Sequence, residues 1–147
     1  MKVSLAGATG AIGKQLVPRL VVARHEVHGI TRSESNKAML DEMGAVSVVA
    51  DALDPDQVAK AIATAGPDVI VHELTAIPVS LDTRHIDRDF ALTNRLRTEG
   101  TDHLLSAGQA AGVQRFVAQS YATMVRPGKE EQRRHPGHHG RRVRRPS

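Results

Sequence analysis

The chain has 147 residues, a length that suits one domain with a real core. It has no cysteine, which excludes disulfides and thiolate chemistry, and no apolar run of membrane-spanning length. Its formal charge of +4 comes from one end: 126–147 holds eight Lys or Arg against two Glu, so 1–125 is mildly acidic at −2, and the basic pI says nothing about the folded part.

Short β-branched runs alternate with helical patterns, which predicts repeated βαβ units. The first strand is expected at 3–6, leading straight into Gly7-Ala8-Thr9-Gly10-Ala11-Ile12-Gly13. The stretch before that turn is too short for a signal-peptide core, so a soluble, cytoplasmic chain is expected. Ile12, Leu16, Leu20 and Val21 then recur at helical spacing, and Pro18 among them predicts a bend. A second strand at 27–31 is followed by a helix at 33–43, with Gly44 placed to end it. A third strand is expected at 46–50. Asp54 is a helix cap, Pro55 takes the first helical position, and the helix runs to Ala65 before Gly66-Pro67.

Residues 69–71 predict a fourth, buried strand, and 74–82 a loop broken by Pro78. A long helix is expected over about 85–111, carrying Phe90, Leu92, Leu96, Leu104 and Leu105. Gly100 in its middle costs ~1 kcal/mol of helix propensity, which predicts a packing reason or a break there. Gly112 closes it, and 116–118 forms a fifth strand. Phe90, Phe116 and Tyr121 are the only aromatic residues, so the core is built from Ala, Val, Leu and Ile. That composition suits a parallel sheet covered on both faces. The expected fold is α/β, a Rossmann-like doubly wound parallel sheet of five strands in the order 3-2-1-4-5. It occupies 1–125. After Val125 the only aliphatic residue is Val143, so 126–147 is expected to be a disordered basic tail.

The glycine turn carries the chemistry. Gly7 allows the tight turn, Gly10 lets the backbone approach a phosphate, and Gly13 lets the helix pack close to the sheet. Free N–H groups at the helix start, with the helix dipole, favour the pyrophosphate of a dinucleotide. About 20 residues further on, an Asp or Glu would bind the adenosine ribose 2′-OH. Thr31-Arg32-Ser33 stands there instead. A guanidinium pairs with a 2′-phosphate that a carboxylate would repel, so Arg32 and Ser33 favour NADP over NAD.

The spacing Gly7-x-x-Gly10-x-x-Gly13 resembles the extended and atypical branches of the short-chain dehydrogenase/reductase superfamily, the NAD-dependent epimerase/dehydratase and NmrA-like proteins. A second stretch carries the same resemblance: Asn94, Gly100-Thr101, Leu104-Leu105 and Ala110-Ala111-Gly112-Val113-Gln114-Arg115-Phe116-Val117. The resemblance covers roughly 1–125. It implies that Asp51 accepts from the adenine amino group, flanked by Ala52 and Leu53. It implies that Leu74 and Thr75 line the ribose and nicotinamide path. His72 receives no role.

The resemblance also implies a Tyr with a Lys four residues later as the proton-handling pair, and a Ser or Thr that polarises the substrate oxygen. Tyr121 is the only tyrosine, it falls too early, and Val125 occupies the fourth place after it. Ser120 and Thr123 are the remaining candidates for the hydroxyl role. No metal is expected.

The run 133–142 resembles out-of-frame translation of a GC-rich gene, so a truncated or frameshifted family member, lacking its substrate lobe, is expected. The fifth strand would then be an open edge, and the leucine face of the long helix would be exposed. That helix (85–111) often forms a dimer interface in the family, so self-association into a homodimer is expected. No aromatic residue interleaves the basic tail, so a solvated charged end is preferred to a nucleic-acid arm or a metal site at His135, His138 and His139. The functional expectation is the NAD(P)-binding domain of an epimerase/dehydratase- or reductase-like oxidoreductase. A non-catalytic NADP-binding module is the alternative.

Overall fold

A computed structural model describes residues 1–120 apart from 79 and 81–83. The expected basic tail, with its histidines, and the candidates Tyr121 and Thr123 lie outside the described residues, as does part of the 74–82 loop.

Five parallel strands, β1 (Lys2–Ala6), β2 (Glu26–Thr31), β3 (Val46–Val49), β4 (Val69–His72) and β5 (Arg115–Ala118), form one sheet. Their order is β3-β2-β1-β4-β5, as the alternating pattern predicted. At the centre Leu5 stands opposite Gly29 on one side and Val71 on the other. Successive side chains point to opposite faces, so each central strand feeds two cores. Leu5 and Val27 join Val17 and Leu40 from the helices α1 (Gly13–Val22) and α2 (Lys37–Glu42). Ala6, Ile30 and Ile70 join Val58 and Ile62 of α3 (Pro55–Ala65), and Leu104 and Ala107 of α4 (Ile86–Ala110), on the other face. Ile62 and Leu104 are among the fully buried side chains, each contributing roughly 1.5–3 kcal/mol.

Several sequence expectations shift in detail. Ile12 was placed on the apolar face of the first helix, but it precedes α1 and is 46% exposed. Val17 is the residue that inserts into the core there. Pro18 lies inside α1 without ending it. The predicted helix at 33–43 is split into a 3₁₀ turn, Glu34–Asn36, and α2. Ser33 stays extended because the Thr31 hydroxyl accepts from its N–H at 3.3 Å and from the Asn36 amide at 3.3 Å. Gly100 neither breaks α4 nor is required by crowding: a Cβ there would meet Ala52 and Leu74 at 3.7–3.9 Å, ordinary contact.

The leucine face of α4 is also not exposed as expected. Leu96 and Leu104 are buried, and α4 packs along α3. Leu96 and Leu104 therefore offer no apolar surface to a partner, while Leu105 on the same helix remains 39% exposed. The edge expectation holds among the described residues: β5 is the last strand, and Val117 is 52% exposed. No helix among the described residues is long and apolar enough to cross a membrane.

Candidate functional site

The C-terminal ends of β1, β2, β3 and β4 surround a crevice of about 350 Å³. This is where an open parallel sheet leaves room for a ligand, between helices that pack on opposite faces.

The glycine turn forms its floor. Gly7 sits at φ +93, and a Cβ on it would lie 2.7 Å from the Glu73 carbonyl. Any side chain at Gly7 would push the β1 and β4 ends apart. A Cβ on Gly13 would overlap the Gly7 carbonyl oxygen and come within 2.5 Å of the Ala8 oxygen. Gly13 thus lets α1 begin directly over the turn, a closer description than helix-to-sheet packing alone. The Gly10 N–H closes the turn on the Gly7 carbonyl at 3.0 Å. The first N–H groups of any helix lack intrahelical acceptors. At α1 no side chain caps them, and no acidic residue stands in the first turn. The start of α1 therefore carries no side-chain cap and no acidic residue of its own that would compete with an anion.

The β2 end supplies the charge. Arg32 is exposed at the crevice wall, and among the described residues it makes no ion pair. Ser33, whose hydroxyl lies 2.7 Å from that of Ser35, stands beside it. On the β3 side, the Asp51 carboxylate accepts from the Leu53 N–H at 2.9 Å. That bond shapes the 51–54 turn, and Asp51, Ala52 and Leu53 all face the crevice. His103 of α4 braces the same turn by donating Nδ1–H to the Ala52 carbonyl at 3.0 Å.

The β4 end completes the wall with Leu74 and Thr75. His72, just before them, is buried and its hydrogen bonds are all internal. Its Nδ1 accepts from the Leu74 N–H at 3.1 Å, so the neutral ring carries its proton on Nε2, which donates to Thr101 at 2.9 Å. The Thr101 hydroxyl passes on to the Arg97 carbonyl at 2.7 Å. Burial pushes the His72 pKa below the usual imidazole value, and the Arg97 charge adds to that effect. His72 is thus a structural strut tying β4 to α4. A second cavity of about 320 Å³ adjoins the crevice through the shared Leu74 and is bordered by Arg97, Thr101, Gln119 and Ser120.

Of the residues singled out from sequence, Gly7, Thr9, Gly10, Arg32, Ser33, Asp51, Ala52, Leu53, Leu74 and Thr75 line one crevice. Ala8 is buried beneath the turn, while Ala11 and Ile12 lead into α1. Ser120 borders the adjoining cavity. Sequence reasoning missed Thr31, Asn36, Glu73 and Leu96. The Thr31-x-x-x-x-Asn36 pair gives no local signal, and Leu96 arrives from a distant helix.

The site has the features a dinucleotide needs: a cradle that a Cβ would fill, an uncapped helix start, and a guanidinium at the far wall with no ion pair among the described residues. The chain belongs to the NAD(P)H-binding family, which it matches over residues 7–142. It is 46% identical over 127 residues to the 3-diazoavenalumate denitrifying reductase of a Streptomyces species. That match covers 86% of this chain and 40% of the relative. A 3-beta-hydroxysteroid dehydrogenase of Mycolicibacterium neoaurum is 32% identical over 133 residues, covering 88% of this chain and 34% of the relative. Among solved structures, a UDP-glucose-4-epimerase from Stenotrophomonas maltophila with bound NAD superposes with a TM-score of 0.68 at 25% identity. It covers 84% of this chain, which in turn spans 38% of the epimerase. The chain is thus a domain of the NAD(P)H-binding family, and it spans 40% or less of the length of these relatives.

Proposed function

We propose that this domain binds NADP in preference to NAD, extended across the crevice, and that the protein it represents moves a hydride between the nicotinamide and an organic substrate. The adenine lies against Asp51, Ala52 and Leu53. The 2′-phosphate meets Arg32 and Ser33. The pyrophosphate rests on the turn from Gly7 through Ala8, Thr9, Gly10, Ala11 and Ile12 to Gly13. The nicotinamide half runs past Leu74 and Thr75 toward the adjoining cavity. There the Ser120 hydroxyl is assigned to polarising the substrate oxygen; Thr123, the other sequence candidate for that role, lies outside the described residues. The bound dinucleotide supplies or takes the hydride, while these residues hold and orient it.

The observation that carries this reading is the uncapped start of α1 above a turn with no room for a side chain, in one crevice with Arg32. The relatives' names, a reductase and a dehydrogenase, support the redox class. Titration with NADPH and NADH tests it. The wild-type chain should bind NADPH more tightly, and Arg32→Asp should lower the NADPH/NADH affinity ratio by about tenfold or more, the scale of a charge-assisted bond. An unchanged ratio would remove the NADP preference. Failure of a folded sample to bind either nucleotide would remove the whole reading. The absence of lysine four residues after Tyr121 favours a second reading, a cofactor-binding module without turnover. Binding of NADPH with no oxidation by any carbonyl or sugar-nucleotide substrate would select it.

A further inference from the structure

Glu73 has no place in the cofactor contacts assigned so far. It follows β4, and its Oε2 is shielded from solvent with no hydrogen-bond partner among the described residues. Its backbone is held in place: the N–H donates to the Ala6 carbonyl at 2.8 Å, and its own carbonyl is pressed against Gly7. The residue lines the crevice beside Gly7 and Gly10. A buried acceptor without a donor is costly, and such groups call for an explanation. Burial pushes the Glu73 carboxyl above the usual carboxylate range, as expected where nothing compensates its charge. Ser4 Oγ and His25 Nδ1 are also unpartnered, but neither residue lines the crevice.

The strand order says which part of a dinucleotide comes to Glu73. Arg32 and Ser33 follow β2, on one side of β1, and Glu73 follows β4, on the other. With adenosine at the β2 and β3 ends and pyrophosphate on the turn after β1, the next group along the ligand meets the β4 end. That group is the second ribose. Its two hydroxyls are donors, whereas the pyrophosphate offers only acceptors. We propose that Glu73 is a cofactor-binding residue whose carboxylate accepts a hydrogen bond from the second ribose of the dinucleotide. This rests on the cofactor reading above.

ADP-ribose and ADP differ by that ribose, so they are the probes. The full chain, Glu73→Gln and Glu73→Leu would be titrated with both, and with NADPH, by calorimetry, after circular dichroism and a thermal melt establish folding. Glu73→Leu should weaken ADP-ribose and NADPH about tenfold and leave ADP within about twofold, because a hydrogen bond to a charged group is lost only where the ribose is present. Glu73→Gln keeps a carbonyl acceptor and the shape, so it should weaken ADP-ribose by about threefold. Equal losses for ADP and ADP-ribose would mean that Glu73 only supports the turn, and the proposal falls. Tighter ADP-ribose binding would mean that the carboxylate merely repels phosphate, and unchanged binding that it makes no contact; in either case the proposal falls. If Glu73→Leu does not fold, Glu73→Gln decides by the same comparison. If folded wild-type chain binds none of the three, the cofactor reading itself fails and takes this proposal with it. Wild-type binding with indifferent variants removes this proposal alone.

Discussion

Two helices begin at the same end of the sheet, and they begin differently. α3 starts with Asp54, whose carboxylate accepts from the N–H groups of Asp56 and Gln57 at 3.0 and 3.1 Å. Asp56 adds a second negative charge in the first turn. Its positive end is answered from within the chain. α1 starts after Ile12, with no cap and no acid, above a turn of three glycines. The helix dipole is the same in both cases, but at α1 the Lys14 and Gln15 N–H groups donate to the Gly10 and Ile12 carbonyls rather than to a carboxylate. A carboxylate at the start of α1 would have contributed to stability, as such caps do, and would have excluded a phosphate from the same position. The difference is that α3 meets its positive end with carboxylates, whereas at α1 these N–H groups turn back onto backbone carbonyls and no acid is present, which leaves room for the anion of the proposed ligand.

The comparison can be broken most severely at Gly13. Gly13→Ala places a methyl group on the Gly7 and Ala8 carbonyls, so it should cost about 3 kcal/mol of stability and abolish dinucleotide binding. A denaturant melt and a titration read both effects. Ile12→Asp tests the charge argument directly. It puts a carboxylate at the exposed start of α1 and should weaken NADPH binding about tenfold by repulsion, while the melt stays as high or rises. If affinity is unaffected, the pyrophosphate does not lie there.

Gly66, at the end of α3, sharpens the contrast between crowding and backbone strain. A Cβ there meets nothing within 4 Å, yet φ is +54, so Gly66→Ala should cost about 1 kcal/mol through strain alone and leave binding intact. The smallest effect is expected at Asp54. Asp54→Ala removes the cap and should lower Tm by roughly 3 °C without altering nucleotide affinity. The Asp54 carboxyl is held below its ordinary value of 3.8, first by the Gln57 N–H and then by the Gln57 side chain. Its contribution to stability is therefore present above that ordinary value and is lost as pH falls through its lowered pKa. Acid titrations of wild type and Asp54→Ala should accordingly converge at low pH.

Local chemistry made much of this legible in the sequence. The α3 boundaries match the expectation because Asp54, Pro55 and Gly66 act within a turn of their own position. The glycine turn was readable for the same reason, and so was Arg32, whose place is set by counting from that turn to the end of the next strand. The split of the predicted 33–43 helix was not readable. It depends on the Thr31 hydroxyl reaching Ser33 and Asn36, in competition with helical hydrogen bonds.

By itself, then, the sequence determined the order of elements, their main ends, and the cradle for an anion, because periodicity, caps and glycine conformations are short-range properties. Only the tertiary structure decided that Leu96 and Leu104 are buried rather than offered to a partner, since that depends on where α4 lands against α3 and the sheet. It also decided that Glu73 meets the glycine turn. The two are far apart in the chain, and only the pairing of β1 with β4 brings that carboxylate into the crevice.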